Sequence, residues 1–133
     1  MESPYMKKYH NFMSHLQVLS HAPEEDLSNE FIISGIIDKF FVQFELGWKL
    51  LKEMLAYDGK PIGASGSPRA ILKASYECYD FMEEEIWLDM LQDRNDLTHI
   101  YSKTRAAELV EKILQCYIPA FERMGSSIQE LRK

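Results

Sequence analysis

The stretch RNDLTHIY contains three residues that could form a reaction centre, namely Arg94, His99 and Tyr101. The neutral imidazole of His99 can accept or donate a proton, because the usual pKa of histidine lies close to neutrality. The guanidinium of Arg94 can neutralise charge that gathers on a phosphate, and Asn95 beside it can orient that group. These residue types favour acid–base chemistry at a phosphate.

The same residues also have a purely structural interpretation. Arg94 then pairs with Glu45 and links two helices, His99 is a surface histidine, and Tyr101 is a core residue with its hydroxyl at the edge. Short motifs often match by chance. From the residues alone, both interpretations stay open.

Helical geometry separates the three side chains. On one straight helix Arg94 and Tyr101 lie within about 20° of each other, whereas His99 lies about 140° from Arg94. Arg94 also interrupts an apolar stripe formed by Trp87, Met90, Leu97 and Tyr101. A buried guanidinium needs an acidic or anionic partner. For Arg94 and His99 to act on one ligand, the arginine must reach far, the helix must break, or a second subunit must contribute.

The composition is that of a soluble globular protein, with 46% hydrophobic and 27% charged residues. A net charge of −6 argues against a broad nucleic-acid-binding face but allows a local RNA site. No signal peptide is visible, and the longest apolar run, residues 31–37, is too short to cross a membrane. We therefore expect a single cytoplasmic domain over residues 1–133.

No metal or cofactor is expected. Cys78 and Cys116 lack a metal-binding spacing, so we expect buried or idle thiols. The three histidines of the N-terminal segment form no ligand pattern with nearby acidic residues; they are His10, His15 and His21.

Helical periodicity runs through almost the whole chain. A first helix is expected from Ser3-Pro4 to Ala22-Pro23, where a cap and a proline give a start signal. The most hydrophobic helix is expected at about residues 34–58, with apolar residues on two neighbouring stripes. The first stripe consists of Phe41, Phe44, Trp48, Leu51 and Leu55. The second consists of Leu46, Leu50, Met54 and Tyr57. Such a helix packs against more than one neighbour and should be central.

The sequence of the second half of the chain predicts three further helices. After a flexible connection at residues 60–66, Ser67-Pro68 should start a helix that reaches about residue 79. Asp80 and the acidic residues 83–85 should open the next helix, which continues into RNDLTHIY. The last helix should begin at Thr104, kink at Pro119 and end near residues 125–127. The prediction is an all-α, up-and-down bundle of about five helices.

Three blocks of the sequence carry a family pattern. Residues 40–52 contain Phe-Glu-Leu-x-Trp-Lys, including Glu45 and Trp48; Ser67-Pro68-Arg69 forms a helix start; and residues 86–101 contain Arg-x4-His-x-Tyr. Over residues 31–124 the chain resembles the HEPN superfamily of helical bundles. It looks most like the branch of nucleotidyltransferase substrate-binding proteins.

The resemblance implies both a partner and an assembly. Members pair with a minimal nucleotidyltransferase in two-gene modules of the toxin–antitoxin type. They form homodimers, or higher homo-oligomers, in which the two helices with the Arg-x4-His-x-Tyr motif meet across a cleft. That cleft would gather Arg94 and His99 from both subunits around a nucleotide or RNA. Tyr101 would be the tyrosine that the partner adenylylates.

Three functions remain open at this point. In the main one, the chain is a non-catalytic subunit that binds the nucleotidyltransferase. In the first alternative, it is a metal-independent ribonuclease toxin in which Arg94, His99 and Asn95 act on RNA. In the second, it is only a helical interaction module.

Two further sites are weaker candidates. The loop that leads into Ser67 and Arg69 precedes a helix N-terminus and could hold a phosphate, but it lacks the Lys-Ser/Thr of a P-loop. Lys103 adds positive charge just past the motif. An ordinary helix connection and a solvated helix start are the plainer interpretations of these segments.

Overall fold

A computed structural model describes residues 3–96 and 102–131, so the sequence positions His99 and Tyr101 lie outside the described residues. The described chain is helical, and its elements follow in this order: α1 Met6–Leu19, a 3-10 turn Ala22–Glu24, α2 Glu30–Tyr57, α3 Ile62–Ser65, α4 Pro68–Cys78, α5 Glu84–Asn95, α6 Lys103–Lys112, a π-helical segment Ile113–Tyr117, and α7 Ile118–Leu131. The predicted all-α bundle is confirmed. Five long helical rods are present in this part of the chain if α6, the π segment and α7 are counted as one.

Helix α2 is the central element, as its two apolar faces predicted. It packs against α1, α3, α4, α5 and α6. It begins at Glu30, about four residues earlier than expected, because the Asn29 side chain accepts hydrogen bonds from the backbone N–H groups of Phe31 and Ile32.

The core lies around α2 and is rich in aromatic rings. Its fully buried large side chains come from every long helix except α6, and they include Phe12, Phe40, Phe44, Leu51, Ile71, Trp87, Tyr117 and Phe121. The two stripes predicted on α2 are partly wrong. Phe41 and Tyr57 are exposed, by 37% and 57%, whereas Phe40, Gln43 and Gly47 are buried. Gly47 is buried because the rings of Trp87 and Phe12 approach its backbone closely.

The ends of α1 and α7 differ from the expectation. Helix α1 begins at Met6 and ends at Leu19, so Ser3-Pro4 does not form its cap. Gly125 does not end α7, which continues to Leu131. It is a packing position instead, since a β-carbon there would lie 2.4 Å from the Met13 sulfur. The Tyr9 hydroxyl donates a hydrogen bond to the Gly125 carbonyl at 3.0 Å.

The helix starts around the candidate site are mostly as predicted. Ser67 accepts a hydrogen bond from the Ala70 N–H at 3.2 Å, with Pro68 as the first residue of α4. Glu83 precedes α5, whose first turn is acidic. Thr104 does not cap α6, because Ser102 accepts the hydrogen bond from the Arg105 N–H.

Two interruptions shape the second half of the chain. Helix α5 ends at Asn95, with Asp96 as its C-cap, so the helix that was expected to continue past Arg94 stops one residue later. The rest of the stretch, up to Tyr101, lies outside the described residues. Just before Pro119, the π-helical turns of Ile113–Tyr117 interrupt the regular hydrogen bonding, which agrees with the distortion that the proline predicted. Within residues 3–96 and 102–131, no helix has the length and hydropathy to cross a membrane.

The connection predicted to be flexible contains the one-turn helix α3. Its Gly63 is buried against α2, and a β-carbon at Gly63 would lie only 2.4 Å from the Ala56 nitrogen and 2.7 Å from its α-carbon. Backbone atoms cannot yield as a flexible side chain can. The close approach of α3 to α2 therefore depends on glycine at this position.

We expect Gly63→Ala to lower the free energy of unfolding by about 1–3 kcal/mol, because the added methyl group forces the two backbones apart. Gly35→Ala is the matched control. Its β-carbon would meet nothing within 4 Å, and alanine favours the interior of α2 by up to about 1 kcal/mol. Urea denaturation of the two variants measures both effects. Equal stabilities would contradict the packing role of Gly63.

Candidate functional site

Arg94, one residue before the end of α5, is held by Glu45 from the middle of α2. The Arg94 Nε and Nη2 atoms both lie 2.8 Å from the Glu45 Oε1 atom. Both side chains are largely buried, with 28% of Arg94 and 18% of Glu45 exposed. The guanidinium carbon also lies 5.9 Å from the centre of the Phe41 ring. The pairing that the structural interpretation expected is therefore confirmed.

The second oxygen of Glu45 is also bound. Trp48 donates its indole N–H to Glu45 Oε2 at 3.0 Å, and the Lys49 ammonium lies 3.9 Å from the same oxygen. A carboxylate that accepts several charged or polar donors is fixed in place. Glu45 thus joins Arg94 to Trp48 through a single carboxylate.

Asn95 completes the surroundings of the arginine. Its side-chain oxygen accepts a hydrogen bond from Arg94 Nη1 at 3.1 Å. All three guanidinium nitrogens therefore have a partner, and the side chain is oriented before any ligand binds. Such preorganisation reduces the entropic cost of ligand binding.

Two of the predicted blocks meet at an open groove of about 260 Å³, which we call the Arg94 groove. It is lined by Ser67, Pro68, Arg69, Leu88, Leu91, Gln92, Arg94 and Asn95. Arg69 is exposed and forms no ion pair within the described part of the chain. Two arginines and the N-terminus of α4 therefore line the same groove.

Lys103 does not line this groove. Its ammonium pairs with Glu30 at the start of α2 at 2.6 Å, and both side chains are well exposed. The hydrogen bond to Glu30 and the charge of Glu30 raise the pKa of Lys103. The two remaining predicted residues, His99 and Tyr101, lie outside the described residues.

A supporting cluster behind Arg94 was missed by sequence reasoning. The buried Tyr117 of the π segment donates its hydroxyl to Asp93, and the Lys112 ammonium lies 3.1 Å from the same carboxylate oxygen. Burial, followed by the hydrogen bond to Asp93, raises the pKa of Tyr117 far above its usual value, so the phenol stays protonated. These contacts attach the end of α5 to the last helix. No sequence signal pairs residues this far apart.

No histidine or cysteine of residues 3–96 and 102–131 lines the Arg94 groove. Within the described ranges, no three residues among His, Cys, Asp and Glu are arranged to hold a metal. Cys78 and Cys116 are free and exposed, so of the two expected alternatives, buried or idle thiols, burial does not apply to either. His15 bonds Gln43 at 2.6 Å and His21 bonds Glu24 at 2.7 Å.

We expect a double-mutant cycle of Arg94→Met and Glu45→Gln to give a coupling energy of about 1–2 kcal/mol, because the charge-assisted hydrogen bonds are shielded from solvent. A cycle of Lys103→Met and Glu30→Gln is the matched control. That ion pair is shorter but exposed, so its coupling should not be measurable. Urea unfolding of all variants provides the free energies. Equal coupling energies in both cycles would show that the Arg94–Glu45 pair contributes no more to stability than an exposed ion pair.

Comparison with known proteins agrees with these features of the sequence and fold. A family model described as "Nucleotidyltransferase substrate binding protein like" matches residues 6–130. The search of curated proteins found no match. Since the family model spans nearly the whole chain, including every long helix, the protein belongs to the nucleotidyltransferase substrate binding protein-like family.

Proposed function

We propose that this chain is a subunit that binds a minimal nucleotidyltransferase and that the Arg94 groove receives an anionic group, such as a phosphate, in that complex. The observation that carries the proposal is the grouping of Arg94 and Asn95 with Ser67 and Arg69 around one open groove. Ser67 and Arg69 at the start of α4 precede Arg94 and Asn95 at the end of α5 by at least 25 positions in the sequence.

The two arginines have different roles in this proposal. Arg94 is already neutralised by Glu45, so it offers oriented N–H groups more than net charge. Arg69 has no ion-pair partner among the described residues and supplies the positive charge that attracts an anion. The Ser67 oxygen already accepts the Ala70 N–H, which leaves its hydroxyl hydrogen available as a donor.

A homodimer, or a higher homo-oligomer, is part of the same proposal. Apolar side chains are exposed along the N-terminal half of α2, with 89% of Phe31, 37% of Phe41 and 43% of Val42 accessible. Phe41 also contacts Arg94, so this apolar surface adjoins the Arg94 groove. A second copy placed on it would bury the apolar area and could bring its own His99 to the groove.

Within this complex, Tyr101 is the proposed acceptor of an adenylyl group from the partner. An added nucleotide places phosphate charge close in sequence to Arg94 and would block access of another phosphate to the groove. In a toxin–antitoxin module this modification would silence the subunit.

Co-expression with a minimal nucleotidyltransferase should yield a stable complex, in which the chain carries one adenylyl group. Intact mass measurement detects the group and peptide sequencing locates it. Tyr101→Phe should abolish the mass gain, whereas Tyr76→Phe, which removes the hydroxyl of a tyrosine that is 50% exposed on α4, should keep it. If the complex forms but Tyr101 is unmodified, the proposed binding of the nucleotidyltransferase stands and the proposed adenylylation is rejected.

A second candidate function is metal-independent RNA cleavage. It is favoured by the hydrogen bond from Arg94 to Asn95, which places next to each other the two residues that would bind the phosphate. His99 would then transfer the proton from the ribose 2′-hydroxyl or to the leaving oxygen.

Purified protein incubated with RNA in the presence of a chelator tests this second function. Cleavage should fall by about 100-fold or more in His99→Ala and in Arg94→Ala, since each removes a group that acts on the transition state. His10→Ala is the control for loss of a histidine elsewhere. Absence of cleavage by the wild-type protein rejects the ribonuclease. If the protein also binds no nucleotidyltransferase, only a helical interaction module remains.

A further inference from the structure

A second and larger groove lies on the other side of Glu45, between the N-terminal part of α1, the C-terminal half of α2 and the one-turn helix α3. Its volume is about 680 Å³, and we call it the lysine groove. It is lined by Pro4, Lys8, Trp48, Lys49, Lys52, Glu53, Ala56, Tyr57, Gly63 and Ala64. Nothing in the proposed function uses this surface.

The lining is electropositive although the whole chain has a net charge of −6. Three lysines face a single carboxylate of the lining, that of Glu53, and Lys8 lies 3.8 Å from it. Lys49 lies 3.9 Å from Glu45, whose charge is already shared with Arg94. Lys52 forms no ion pair within residues 3–96 and 102–131. The lysine ammonium groups are therefore incompletely neutralised and can bind an anion.

Two aromatic rings accompany these lysines. Trp48 is half-buried, and its indole N–H is fixed by Glu45, so the ring has a defined orientation. Tyr57 is 57% exposed, and its ring meets the ring of Tyr5 edge-on at 5.5 Å. The Lys49 ammonium lies 6.0 Å from the centre of the Trp48 ring. The lining of the groove thus contains both cationic and aromatic side chains.

We propose that the lysine groove binds a nucleotide, with its phosphate on Lys8 and Lys52 and its base against Trp48 or Tyr57. Lysines that contact phosphate, together with aromatic rings on which bases stack, are the combination used by sites for single-stranded nucleic acid. The volume is within the range of ordinary small-molecule sites. The nucleotide can be free or can belong to an RNA strand, since both present the same phosphate and base.

The aromatic rings favour a nucleotide over an acidic peptide. Lysines alone would attract either anion, but stacking on an aromatic ring contributes a further favourable term for each base. Glutamate and aspartate side chains have no flat ring to use that surface. An acidic peptide is therefore the contrasting ligand in the test.

The lysine groove is connected to the Arg94 groove through Glu45. One carboxylate oxygen of Glu45 holds Arg94 and the other holds Trp48. A base that displaces the Trp48 ring would move the carboxylate that orients Arg94. The binding proposal itself is independent of the nucleotidyltransferase partner and of any cleavage, so its test uses the isolated chain.

Fluorescence anisotropy with a labelled short single-stranded RNA, and in parallel with a fluorescent ATP analogue, measures binding. Lys8→Gln combined with Lys52→Gln should weaken binding at least about fivefold and lower the slope of log affinity against log salt by about 1–2. Lys7→Gln combined with Lys39→Gln is the matched control. It removes two charges from the same two helices, α1 and α2, at residues that do not line the groove, and it should leave the affinity nearly unchanged.

Tryptophan fluorescence provides a second measurement. Of the two tryptophans, Trp87 is only 1% exposed, so quenching by a stacked base reports on Trp48. Quenching should persist in Arg69→Ala, which alters the Arg94 groove, and should weaken in the Lys8/Lys52 variant. Binding of ATP as well as RNA identifies a free nucleotide as sufficient, and binding of RNA alone identifies a strand.

Three results would overturn the proposal. The first is equal weakening by the Lys8/Lys52 and Lys7/Lys39 variants, and the second is absence of binding to both RNA and the ATP analogue. The third is displacement of the labelled RNA by a poly-glutamate peptide as readily as by unlabelled RNA, which would indicate an acidic-peptide site. Failure of the nucleotidyltransferase complex to form would affect none of these measurements.

Discussion

The ion pair between Arg94 and Glu45 is the interaction on which the candidate site depends. A guanidinium that is largely removed from water is costly unless a carboxylate accepts its N–H groups. Glu45 meets this requirement from the middle of α2, with two contacts of 2.8 Å. The pair joins the end of α5 to the central helix, and it therefore sets the position of Asn95 and of the groove beside it.

The single carboxylate of Glu45 also determines how the two grooves are related. Arg94 lies at one of its oxygens, and Trp48 with Lys49 lies at the other. Positive charge and aromatic surface are concentrated around this part of α2, while the chain as a whole is acidic. A net charge describes the average surface, whereas ligand binding responds to the local distribution of charge.

The helical bundle was largely predictable because its signals are local. Ser67-Pro68 and the acidic first turn of α5 were confirmed, since capping hydrogen bonds and the helix dipole act within one turn. The predictions were wrong where contacts between elements far apart in the sequence determine the structure. Gly63 and Gly125 looked like a flexible connection and a helix end, but both are positions where another element approaches the backbone.

The sequence by itself determined the helix types and the central role of α2. It also identified Glu45 as a partner for Arg94, because a charge in an apolar stripe requires one. Only the tertiary structure decided that α5 ends at Asn95, that Arg69 and Arg94 line one groove, and that Tyr117 supports Asp93. These relations join residues far apart in the chain. They follow from how the helices pack around α2, and no periodicity or cap within one helix specifies them.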